Sequence, residues 1–100
     1  MTISGILKLK HDNDDYIMFS KGHLVNISEY LNCMLLDDVY IKVFDEYNKK
    51  ILFKEKGQLI KEKIKPRYYV YHVNGANLDD ILWNNVGRRL TIVIKNISNY

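Results

Sequence analysis

The stretch Asn77 to Lys95, NLDDILWNNVGRRLTIVIK, carries two periodicities back to back. Leu78, Ile81, Leu82 and Val86 recur at the spacing that lines one face of a helix. Asn77 in front of them is a residue type that caps helix N-termini, and Gly87 behind them stands where a left-handed C-cap is expected. From Leu90 the period drops to two. Leu90, Ile92 and Ile94 alternate with Thr91, Val93 and Lys95, as in a strand with one buried face. A helix running straight into a strand sets the class as mixed α and β.

Outward from this stretch the other elements follow. Asn74-Gly75 is a turn signal, and Arg67 to Val73, with three Tyr and two Val, is the most β-prone segment. Gln58 to Lys65 alternates, Gly57 marks a turn before it, and Pro66 belongs at an edge or a strand junction. Val39, Ile41 and Val43 alternate with Tyr40, Lys42 and Phe44. The polar run Asp45–Lys50 then turns that strand into Ile51–Glu55.

Asn26 and Glu29 have the spacing of a capping box, followed by Ile27, Leu31, Met34 and Leu35 on one helical face. Asp37-Asp38 ends this helix, because acids at a C-terminus oppose the macrodipole. Ile3 to Leu9 and Tyr16 to Phe19 form a first hairpin about the polar turn His11–Asp15. No internal repeat, linker or low-complexity tract is evident. The expectation is one domain, residues 1–100, of α+β class. Six or seven short, mostly antiparallel strands form a small barrel or a bent sheet, with two short helices.

At 100 residues, 47% of them hydrophobic and 27% charged, the chain can bury one core and is neither disordered nor membrane-spanning in composition. No leader pattern is evident, and the lone Cys33 precludes an internal disulfide and suits a reducing, cytoplasmic setting. Ile, Lys, Asn and Tyr, all with AT-rich codons, supply 42 residues, which associates the chain with a low-GC bacterium or with a phage or mobile element in one.

Catalytic and metal signatures are weak. Asp12-Asn13-Asp14-Asp15 resembles the start of a calcium loop, but Ile17 and His23 occupy the positions that need Gly and Glu. His11, His23, His72 and Cys33 lack zinc-site spacing. Cys33, inside the first helix, reads as a buried inert thiol. No nucleophile elbow or phosphate loop is present. Asp79 and Asp80 sit in the first turn of the second helix, where the dipole favours them, and that role accounts for them. Neither enzyme activity nor a cofactor is expected.

Charge is the informative feature. Residues 11–48 carry eight acids against Lys21 and Lys42, while residues 49–67 carry seven Lys and Arg67 against Glu55 and Glu62. Lys61, Lys63, Lys65 and Arg67 share one face of an extended strand, with Tyr68, Tyr69 and Tyr71 following, and Arg88 and Arg89 join them if the last strand lies near. Such a face is a solvated edge, or a binding surface. Trp83 adjoins the apolar face of the second helix. It is a core residue by default, and an interface anchor if exposed. The leading expectation is a non-catalytic binding module, an accessory or inhibitor protein contacting a protein partner, with head-to-tail self-association also open and no membrane contact. The alternative is a nucleic-acid or nucleotide binder using residues 61–67.

Overall fold

The computed structural model describes residues 1–10, 14–66 and 68–98. The turn expected over His11–Asp15 lies largely outside them, as does Arg67. The elements run β1 (Thr2–Leu9), β2 (Tyr16–Ser20), β3 (His23–Asn26), α1 (Ile27–Asn32), β4 (Asp38–Asp45), β5 (Ile51–Lys65), β6 (Tyr68–Val73), β7 (Ala76–Asn77), α2 (Leu78–Asn84) and β8 (Arg89–Asn96). All strands join one antiparallel sheet in the order β3-β2-β1-β8-β4-β5-β6-β7. The class is α+β as expected. The sheet is bent and does not close into a barrel.

Period-two burial divides the sheet. Ile3 and Leu7 of β1, Val39, Ile41 and Val43 of β4, Phe53 and Leu59 of β5, and Leu90, Ile92 and Ile94 of β8 face one core. Ile27 and Leu31 of α1 and Leu78 and Leu82 of α2 cover that side. The helices are short because their caps are close together. Asn26 Oδ1 accepts the Glu29 N–H at 2.9 Å, Asn77 Oδ1 accepts the Asp80 N–H at 3.1 Å, and positive φ at Leu36 (72°) and Gly87 (90°) turns the chain out after each helix. Met34 and Leu35 lie past the end of α1.

Contrary to the expectation from sequence, the chain contains a structural repeat. Three strands, a helix and a strand occur twice, and exchanging the halves reverses the sheet order onto itself. Register confirms a pseudo-two-fold axis. Ile41 pairs with Ile94 and Val43 with Ile92, about a central pair Lys42–Val93. Gly5 opposes Leu90 as Gly57 opposes Val39. The Gly87 N–H donates to the Leu7 carbonyl at 2.7 Å as the Leu36 N–H donates to the Leu59 carbonyl at 2.8 Å. The hairpins at the two ends of the sheet, β2–β3 and β6–β7, close on turns with two positive φ values, Lys21-Gly22 and Asn74-Gly75, the geometry that matches strand twist.

Gly57 therefore marks no turn. Strand β5 runs through it, pairing with β4 up to Gln58 and with β6 from Leu59. The twin strand β1 changes partner from β8 to β2 around Ile6, one residue past Gly5. A Cβ on Gly5 would run into the Phe19 carbonyl oxygen, and one on Gly57 would stand 3.2 Å from Asn74 Cβ, so both bends need glycine. Strands β3 and β7 go beyond the elements expected from sequence. Each is a short run between a turn and a helix cap, with no room to show a period.

Candidate functional site

The bend brings the two halves together on the core side, where a cleft of about 240 Å³ opens over the pseudo-two-fold axis. Its lining contains twinned positions from both halves: Tyr16 and Tyr71, Ser28 and Asp79, Leu9 and Lys61. At its floor each helix accepts a strand N–H. Tyr16 N donates to Ser28 Oγ at 2.8 Å, and Tyr71 N donates to Asp79 Oδ1 at 2.6 Å. The phenols then cross to the opposite half. Tyr16 OH reaches Asp79 Oδ2 at 3.4 Å, and Tyr71 OH donates to Asn32 Oδ1 at 2.8 Å.

Burial governs the electrostatics of this floor. Desolvation pushes the Asp79 carboxyl above the usual carboxylate range, against the opposing hydrogen bonds from Tyr71 and Tyr16. Desolvation, reinforced by the Asp79 charge, raises the Tyr16 phenol and takes Tyr71 to about 12. Both phenols stay protonated at neutral pH, which makes them hydrogen-bond donors and poor nucleophiles. Asp79 is thus more than a dipole partner of its helix, because it ties α2 to β6 inside the protein.

Above the floor the surface is aromatic. Trp83 is 61% exposed, Tyr68 54% and Tyr69 44%, and all three line the cleft. Trp83 is therefore not core. In a helix as short as α2 the buried stripe is Leu78 and Leu82, and position 83 turns away from it. Its twin is Asn32, which binds Lys61 Nζ at 3.3 Å. Trp83 shares the cleft with Leu9, the twin of Lys61, so the polar pair Asn32–Lys61 across the two halves has an apolar counterpart in Trp83 and Leu9.

The extended strand Lys61–Lys65 is present, with Tyr71 opposite Lys61 and Tyr69 opposite Lys63. Lys61 Nζ lies 5.1 Å from the Tyr69 ring centroid and 5.6 Å from that of Tyr71, within cation–π range. Tyr68 pairs with Lys65 across a bulge. Lys63 continues the face of Lys61 beyond the cleft, and the bulge between Lys63 and Lys65 breaks the alternation expected to keep Lys65 on it. Tyr71 is core, whereas Tyr69 is exposed.

Arg88 and Arg89 are elsewhere. Arg89 pairs in register with Ile6, and its guanidinium lies 3.4 Å from Glu46 Oε2. No hydrogen bond or ion pair among the described residues joins either arginine to Lys61–Lys65. Cys33 is exposed rather than buried, because α1 ends before it. Acid also reaches the cleft: Asp14 and Asp15 line it, and Asp15 accepts from Asn26 Nδ2 at 3.1 Å.

Among the described residues no group of His, Cys, Asp and Glu is placed to hold a metal ion, and no helix is long and apolar enough to cross a membrane. The chain matches no protein-family model, no curated protein and no solved structure. Fold and cleft define the class: a small, compact α+β domain with a bent antiparallel sheet and no evident catalytic or metal-binding constellation among the described residues.

Proposed function

We propose that the protein is a non-catalytic binding module that holds a protein partner at the cleft, with Trp83, Tyr68 and Tyr69 as anchors and Lys61, Lys63 and Lys65 beside them. The observation that carries this reading is the convergence of three exposed aromatic side chains, from α2 and β6, on one cleft. Trp and Tyr supply large contact area at low entropic cost and dominate binding hot spots. The protonated tyrosines and the hydrogen-bonded Asp79 beneath offer a firm floor and no activated nucleophile. The AT-rich composition associates such a module with the accessory and inhibitor proteins of phages and mobile elements, which act by stoichiometric contact.

A polyanion is the weaker occupant of this cleft. Asp14, Asp15 and Asp79 face the same opening as Lys61, and would repel phosphates there.

The test is affinity capture from a low-GC bacterial lysate, using the intact protein and two variants as bait. Trp83→Ala removes the anchor at the cleft. Tyr47→Ala removes a still more exposed ring in the turn between β4 and β5. One stoichiometric species, kept by Tyr47→Ala and lost by Trp83→Ala, supports the reading. Equal capture by both variants rejects it.

A further inference from the structure

The face of the sheet opposite the cleft carries a second feature. Alternation puts Tyr40, Lys42 and Phe44 of β4, Lys54 and Lys56 of β5, and Lys95 of β8 on that outer side, since their neighbours in sequence fill the core. Register makes them a compact group. Lys42 stands directly opposite Lys54, and Tyr40 lies between Lys56 on one side and Lys95 on the other. Glu55, between Lys54 and Lys56 in sequence, points to the opposite face across from Ile41. Neither ion pair among the described residues involves these lysines.

Like charges directly opposite one another destabilise a sheet, so the arrangement calls for a reason. Edge protection does not account for it at Lys42, which is paired with Lys54 on one side and Val93 on the other, although Lys54 and Lys56 lie where β5 pairs with β4 alone. The fold does not require it either, and the repeat supplies the control. The twins of Lys42, Lys54, Lys56 and Lys95 are Val93, Thr2, Ser4 and Phe44. The same backbone is thus built in the other half without a single lysine at those positions. There Ser4 Oγ and the Thr91 hydroxyl simply bond each other at 2.7 Å. The sheet geometry therefore does not call for lysine at these positions.

We infer that this outer face binds single-stranded nucleic acid, through phosphate contacts from Lys42, Lys54, Lys56 and Lys95 and base stacking on Tyr40 and Phe44. Both residues are half-buried on the sheet surface, as stacking platforms are, rather than fully exposed as a membrane anchor would be. Lys42 and Lys49 already sit 5.3 and 5.9 Å from the Phe44 centroid, so cation and ring present one surface. An extended strand of alternating base and phosphate matches rings flanked by ammonium groups better than an acidic peptide, which would leave the rings unused. This surface is separate from the cleft and does not depend on the reading given for it.

Fluorescence anisotropy with a labelled single-stranded oligonucleotide of about 12 nucleotides tests it. The double variant Lys54→Thr/Lys56→Ser installs the residues of the twin positions, so its fold is provided for. It is expected to weaken binding and to lower the slope of log affinity against log salt by about 1.4, at roughly 0.7 for each phosphate no longer neutralised. Tyr40→Thr, again the twin residue, weakens binding with the slope unchanged. The inference is overturned by any of three results: no salt-dependent binding by the native protein, unchanged binding by the Lys54→Thr/Lys56→Ser variant, or tighter binding to polyglutamate or anionic vesicles than to the oligonucleotide.

Discussion

The carboxylate of Asp79 accepts the Tyr71 backbone N–H at 2.6 Å, in the place where the first half of the chain uses the hydroxyl of Ser28 to accept from Tyr16. One acceptor is neutral and the other ionisable, and both are buried. Replacing Asp79 by Ala strands the Tyr71 N–H and should cost about 1–3 kcal/mol in urea unfolding. Asp79→Asn keeps an acceptor and should cost much less.

The same residue sets a pH dependence. Because burial raises the folded-state pKa of Asp79, the native protein holds its proton where the unfolded chain has released it. Stability contributed by the neutral carboxyl is present below the ordinary aspartate value of about 4 and is lost as pH rises through the raised value. Denaturation of the native protein and Asp79→Asn across this range should show the native protein losing stability relative to the variant as pH climbs. Parallel curves would contradict the burial argument.

Leu36 and Gly87 are twins, and only one of them is glycine. Leu36 holds a φ of 72° with its side chain 68% exposed, so it bears the left-handed penalty without a packing return. That penalty is roughly 1–2 kcal/mol, against about 0.5–1 kcal/mol for the freedom glycine gives the unfolded chain. Leu36→Gly should therefore raise thermal stability slightly, and Gly87→Leu should lower it by about 1 kcal/mol or more.

The helix caps play the same role in each half. Asn26→Ala and Asn77→Ala each remove one acceptor for a first-turn N–H, and Asn26→Ala also removes the bond to Asp15. Each should cost about 0.5–2 kcal/mol, measured by chemical denaturation, with Asn26→Ala the larger. A large loss at one site alone would argue against the two-fold architecture.

Much of the fold was legible because its signals are local. Asn77, the Leu78–Leu82 stripe, Gly87 and the alternation from Leu90 each report on their own neighbourhood, and so do Asn26 and Val39–Val43. Gly57 misled, since glycine serves a bend within a strand as well as a turn. The repeat stayed hidden for two reasons. Identity between twins survives only where the backbone or core demands it, at pairs such as Gly5/Gly57, Leu7/Leu59, Tyr16/Tyr71, Asn26/Asn77, Leu31/Leu82 and Ile41/Ile92. The hairpins also differ in length, so no constant period runs through the chain. Lys61, Tyr68 and Trp83 were visible singly. Their meeting depends on β5 bending at Gly57, and the partition of Lys54 and Lys56 from Lys61 and Lys63 onto opposite faces follows from register.

The proposed binding site depends on Trp83 standing in water at the cleft, and as the sole tryptophan it reports on itself. In the isolated protein its fluorescence should be red-shifted, as for indole in water, and freely quenched by acrylamide. Adding the captured partner should shift it to the blue and shield it. Blue-shifted, protected emission from the protein alone, or no change on binding, would contradict the account.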